Sequence, residues 1–125
     1  MPILTYINFG IFPGGVSFSN GFDAKRLLKL YKRDWKQAFK QEYKFFEDSN
    51  YAYAKVWLGS MVYYFIYTKN KFTYTDYEYC KLAHEVLHIC QVYLVDILDR
   101  NTEREAEAYL HTHIMTKCLE AIRQQ

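Results

Sequence analysis

Two histidines flank a glutamate and two apolar residues in the run Ala83-His84-Glu85-Val86-Leu87-His88-Ile89. Side chains four apart on a helix lie on one face a single turn apart, so the two imidazoles can converge on one ion with a glutamate beside them. Neutral imidazoles suit Zn²⁺, which lowers the pKa of a coordinated water to roughly 7 and so brings its proton within reach of a neighbouring carboxylate. The spacing therefore points to hydrolysis at a mononuclear metal, with Glu85 as general base. Its competitor is a pair of polar groups on the outer side of an amphipathic helix.

The surrounding sequence predicts the helices that would carry these side chains. Over residues 77–98 the apolar positions Leu82, Val86, Leu87, Ile89, Tyr93, Leu94, Ile97 and Leu98 recur at helical spacing without Gly or Pro, which predicts a helix with the histidines in its middle. A turn is expected at residues 99–102. A second helix then opens with Glu103-Arg104-Glu105-Ala106-Glu107-Ala108-Tyr109, where Thr102 and Glu105 have the spacing of a capping box. A Glu105 that bound metal could not also close that box. Glu105 and Glu107 point to nearly opposite sides of a helix, and Leu110, Ile114, Cys118 and Ile122 lie closer to Glu107's side, so hydrophobicity favours Glu107 as a third metal ligand.

This stretch resembles the gluzincin-type HExxH zinc metallopeptidases, whose motif is followed by a helix carrying E-x-x-A with its Glu as third metal ligand. Laid on Glu105-Ala106-Glu107-Ala108, the resemblance implies a zinc ion held by His84, His88 and Glu105, with Ala108 as the small residue that lets two helices approach. It covers roughly residues 77–119 and is nearest to small HExxH proteins of bacteriophages and prophages, which carry a stretch much like Glu105 to Leu110. It implies hydrolysis of a peptide or protein substrate by a metal-activated water in a minimal zincin-like domain. Many members have Asp or Asn after the alanine to support a ligand histidine; Tyr109 stands there, which leaves the histidines without an assigned partner. A metzincin pattern is excluded, because Gln91 and Leu94 occupy its glycine and third-histidine positions. Tyr109, His111 and His113 are candidates to stabilise the developing oxyanion, although His111 and His113 cannot both face one cleft.

Composition bounds the rest. A chain of 125 residues is read as one domain, residues 1–125, and a hydrophobic share of 50% with 13 Tyr and 9 Phe excludes disorder. The formal charge of +2 demands no nucleic-acid partner. No apolar run approaches the roughly 20 residues of a membrane span, and the start lacks the basic region and apolar core of a signal peptide, so a cytoplasmic protein is expected. Cys80, Cys90 and Cys118 read as buried free thiols: Cys80 to His88 would span roughly 12 Å along a helix, too far for shared ligation.

Residues 5–12 and 16–19 read as strands around the turn Pro13-Gly14-Gly15, and Asn20-Gly21 ends the second. One helix is expected over residues 23–48, with Leu27, Leu28, Tyr31, Trp35, Phe39 and Phe46 on its apolar face. Its other side carries Arg26, Lys29, Arg33, Lys36, Lys40 and Lys44, interrupted by Asp34 and Glu42, as a solvated helix back rather than a nucleic-acid surface. A second hairpin follows, residues 52–58 and 61–67 around Gly59-Ser60, and residues 63–67 or the preceding strand are expected at a sheet edge that receives an extended peptide. The fold class is α+β: a small, mostly antiparallel sheet of two hairpins packed on three helices. The rival function is a non-catalytic phage or mobile-element binding protein whose zinc site is structural or vestigial.

Overall fold

Turn chemistry places both hairpins. The computed structural model describes residues 2–31, 33–97 and 104–124. In it β1 (Ile3–Asn8) and β2 (Gly15–Asn20) pair antiparallel, as do β3 (Tyr51–Leu58) and β4 (Met61–Thr68). Gly21 and Gly59 adopt the positive φ that ends β2 and turns β3 into β4. The two hairpins join through a parallel β2–β4 pair, giving the order β1-β2-β4-β3. A buried polar clasp fastens that seam: the Asn20 amide donates to Thr68 Oγ1 at 2.6 Å, and the Thr68 hydroxyl donates to the Ser19 carbonyl at 3.0 Å. The protein is thus α+β with a mostly antiparallel open sheet. The first strand stops short of residue 12, because Gly10 turns at φ +73° and sends Phe9 and Phe12 inward onto Tyr93.

Residues 23–48 do not form one helix. They form α1 (Ala24–Lys29), α2 (Arg33–Ala38) and α3 (Lys40–Glu47), which corrects the expected three helices to five among the described residues. A straight helix of that length would run about 39 Å, against about 26 Å for the strands beside it, so it could not bury both ends. Broken into three, the chain folds over Ala52, Ala54, Val56, Phe65 and Tyr67 and packs Leu27, Phe39 and Phe46 against them.

The opposite sheet face carries α4 (Asp76–Ile97) and α5 (Arg104–Arg123). There Val16, Phe18, Tyr64 and Ile66 meet Leu82, Val86, Ile89, Leu110, Ile114 and Cys118. β4 is buried on both faces by alternation, Tyr64 and Ile66 to one side, Phe65 and Tyr67 to the other. No described helix is long and apolar enough to cross a membrane.

Polar contacts fix the position of α4. Thr75 caps it by accepting from the Glu78 backbone N–H at 3.2 Å. Tyr51 donates to the Glu78 carboxylate at 2.6 Å, Thr73 donates to it through both backbone and hydroxyl, and Asp96 accepts from Lys55 at 2.7 Å and Tyr64 at 3.1 Å. Burial alone would push Glu78 up, but the Thr73 and Tyr51 donors outweigh it and hold its carboxyl below its ordinary range. The Lys55 ammonium, with Tyr64 behind it, does the same for Asp96. A carboxyl whose pKa is depressed by folding stabilises fully above its unfolded value, about 4, and loses that contribution as pH falls below it. The melting temperature is therefore expected to drop between about pH 5 and pH 3. Thermal scans of Glu78→Gln with Asp96→Asn should show a lower value at neutral pH and a flatter acid limb; an unchanged acid limb would refute this account.

Candidate functional site

His84 and His88 lie on the outward side of α4 because the residue between them does not. Val86 is fully buried, and each histidine is two residues away, about 200° around the helix. The rings converge: Nε2 of His84 and Nε2 of His88 stand 3.0 Å apart, one donating to the other. Two nitrogens at about 2.0–2.1 Å from a tetrahedral zinc ion are separated by about 3.3 Å, so this pair fits as two of its ligands with a few tenths of an ångström of opening. Burial and the neighbouring His84 keep the His88 ring below its ordinary pKa, which favours the neutral, metal-binding form.

Glu85 is only 8% exposed. It lies seven residues after Glu78 and eleven before Asp96, spacings that keep all three on one helix face, the one turned to the β3 side of the sheet. Burial pushes its carboxyl above the usual carboxylate range, against the pull of His84 and Lys81. A side chain so placed holds a proton more readily than a solvated glutamate.

Toward the sheet, the pair is bounded by Tyr53, whose ring stacks on His88 with centroids 4.5 Å apart and planes 17° from parallel. Tyr53 belongs to β3, an edge strand, so the expected edge is the preceding strand rather than residues 63–67, which lie inside the sheet. The Lys69 N–H donates to the Asn50 carbonyl at 2.9 Å. Continued along the β3–β4 register, that bond directs the even residues of β3 toward β4 and the N–H and C=O groups of Tyr51, Tyr53, Lys55 and Trp57 outward. Toward α5, Leu87 joins Arg104, Glu107, Ala108, His111 and Thr112 around an open depression of about 560 Å³. His84 and His88 do not line it.

The α5 residues separate by face. Glu105 is exposed, whereas Glu107 is half-buried on the side turned to α4. Among the described residues, no group of three His, Cys, Asp or Glu side chains is arranged to hold a metal ion, so neither glutamate is brought onto both histidines. The expected capping box of Thr102 and the turn before it lie outside the described residues. His111 sets Nε2 3.1 Å from the Ala83 carbonyl, on the α4 side. His113 instead reaches the Asn8 carbonyl at 2.8 Å, with Tyr109 stacked beside it over Gly10. Tyr109 and His113 therefore clamp the β1–β2 connection. Tyr53 was not singled out from sequence. Its signal was the alternation Tyr51, Tyr53, Lys55, Trp57, which puts all four on one sheet face.

The basic side chains Arg26, Lys29, Arg33, Lys36, Lys40 and Lys44 are exposed on the helical layer across the sheet from α4. Comparisons with protein-family models, curated proteins and solved structures give no match.

The cysteines are all free, but Cys80 is exposed and not buried as expected, since it falls on the outward side of α4. Burial pushes the Cys90 thiol up to about 12 and the Cys118 thiol higher still. A thiol-reactive chromophore should titrate one cysteine per native chain and three after denaturation. Loss of the native signal in Cys80→Ser would confirm the assignment, and rapid reaction of a second thiol would contradict the packing.

Proposed function

We propose that the chain is a zinc-dependent peptidase in which His84 and His88 hold the ion, a carboxylate of the first turn of α5 completes the protein ligands, and Glu85 is the general base. The observation that carries this reading is the 3.0 Å convergence of the two Nε2 atoms beside a buried carboxyl of raised proton affinity. When bound, zinc supplies a Lewis acid that polarises a carbonyl and lowers the pKa of water to about 7. The chain's own groups do the rest. Glu85 takes one proton from water as the water oxygen adds to the carbonyl carbon, then passes that proton to the amide nitrogen as the C–N bond breaks, leaving a carboxylic acid and an amine, which ionise to carboxylate and ammonium. The outward backbone groups of Tyr53 and Lys55 on β3 suit an extended peptide, which would add to the sheet edge beside His88.

For the third ligand, the family pattern assigns Glu105, and the packing of α5 favours Glu107. Zinc affinities of Glu105→Gln and Glu107→Gln decide between them, because loss of a ligand weakens binding far more than loss of a carboxylate that does not touch the ion.

The second reading, a non-catalytic binding protein, is favoured by one observation: the pair lies on an open helix surface where no third donor joins it among the described residues. Elemental analysis separates the two. Protein purified without chelators should carry about one zinc per chain, losing it in His84→Ala and keeping it in Glu85→Gln, while peptide hydrolysis falls by about 10²- to 10⁴-fold in the latter. A metal-free wild type would sink the zinc site, and zinc without hydrolysis would support the binding protein.

A further inference from the structure

We infer that Tyr53 is the positioning residue of the histidine pair, fixing the His88 ring by stacking where a hydrogen-bonding partner would ordinarily orient it; this rests on the zinc site proposed above. A ligand imidazole usually takes its orientation from a bond made by its other ring nitrogen. Here the position where related patterns place that partner holds Tyr109, which packs with His113 instead. Among the described residues, the hydrogen bond of each of His84 and His88 runs to the other. A second contact on the pair, among the described residues, is the Tyr53 ring, 4.5 Å from that of His88 and within 17° of parallel.

The platform is itself held. Tyr53 packs against the core under α4, and its neighbours on the same strand face bond that helix on either side, Tyr51 to Glu78 and Lys55 to Asp96. β3 therefore cannot slide along α4 without breaking both contacts, and the tyrosine ring keeps its place over His88. His84, by contrast, is exposed, so His88 is the preset ligand of the two. The backbone of Tyr53 points outward along the free edge of the sheet. One residue thus touches both the proposed metal ligand and the line along which an extended peptide would pair.

The test uses zinc alone as probe, titrated against a chromophoric chelator, with the full chain and two variants. Tyr53→Phe keeps the ring and is expected to bind zinc within about twofold of wild type. Tyr53→Leu removes it and is expected to weaken binding by about 10- to 100-fold, the usual effect of losing a ligand's supporting contact. A second measurement does not depend on the leucine variant folding. In metal-free wild type, the His88 ring protons should resonate upfield of those of His84 under the Tyr53 ring current, and Tyr53→Phe should preserve that shift. Wild type that binds zinc with the same affinity as a folded Tyr53→Leu, or His88 protons without the upfield shift, overturns the positioning role alone. Wild type that takes up no zinc overturns the site itself, and the positioning role with it.

Discussion

The structure depends on how α4 is held against the sheet. The row Tyr51, Tyr53 and Lys55 on β3 meets Glu78, His88 and Asp96, and this sets the rotation of a 22-residue helix. Once Leu82, Val86, Ile89 and Tyr93 face the sheet, helical geometry leaves no freedom for the residues between them. His84 and His88 must face away, Glu85 must lie toward β3, and Leu87 must lie toward α5. A rotation of α4 by one residue, about 100°, would bury a histidine and expose part of the core, so the chemistry-bearing face is a by-product of how the helix packs.

The polar contacts that set this rotation are weak holders of the fold. Lys55 and Asp96 have side chains 29% and 39% exposed, and ion pairs that wet contribute little net stability. Most of the favourable energy comes from the two apolar layers on either side of the sheet, and aromatic rings fill much of both. Phe39 packs on Phe65 and Phe46 on Tyr67 below the sheet; Phe9, Tyr64 and Tyr93 pack together above it. Large rings let a small domain bury two helical layers with few residues. The polar row therefore adds little to the total and instead ties β3 to both ends of the helix face it meets, Tyr51 at Glu78 and Lys55 at Asp96.

The parts of the fold legible in the sequence are those set by near neighbours. Gly59-Ser60 and Asn20-Gly21 marked where strands turn and end, and the apolar spacing of residues 77–98 marked the start of α4 to within a residue. The break of residues 23–48 was not legible. Neither Gly nor Pro interrupts that stretch; its length exceeds the strands it must cover, and that mismatch exists only once β3 and β4 are in place. The parallel β2–β4 seam was hidden for the same reason, since its pairing joins residues 48 apart in sequence, from Asn20 to Thr68.

The candidate site divides along the same line. The convergence of His84 and His88 depends on one turn of one helix, and a spacing of four residues is enough to infer it. A third donor depends on the phase of α5 against α4, which is decided along its whole length by Leu110, Ile114, Cys118 and Ile122. Those residues turn Glu107 toward α4 and Glu105 to solvent, so the hydrophobic face of α5 describes this packing better than the four-letter pattern does. The same phase separates His111 from His113: two residues apart, they bond the backbones of different elements, Ala83 on α4 and Asn8 at the end of β1. A motif confined to one helix turn carries its own geometry, and a site completed by a second helix takes its geometry from the core between them.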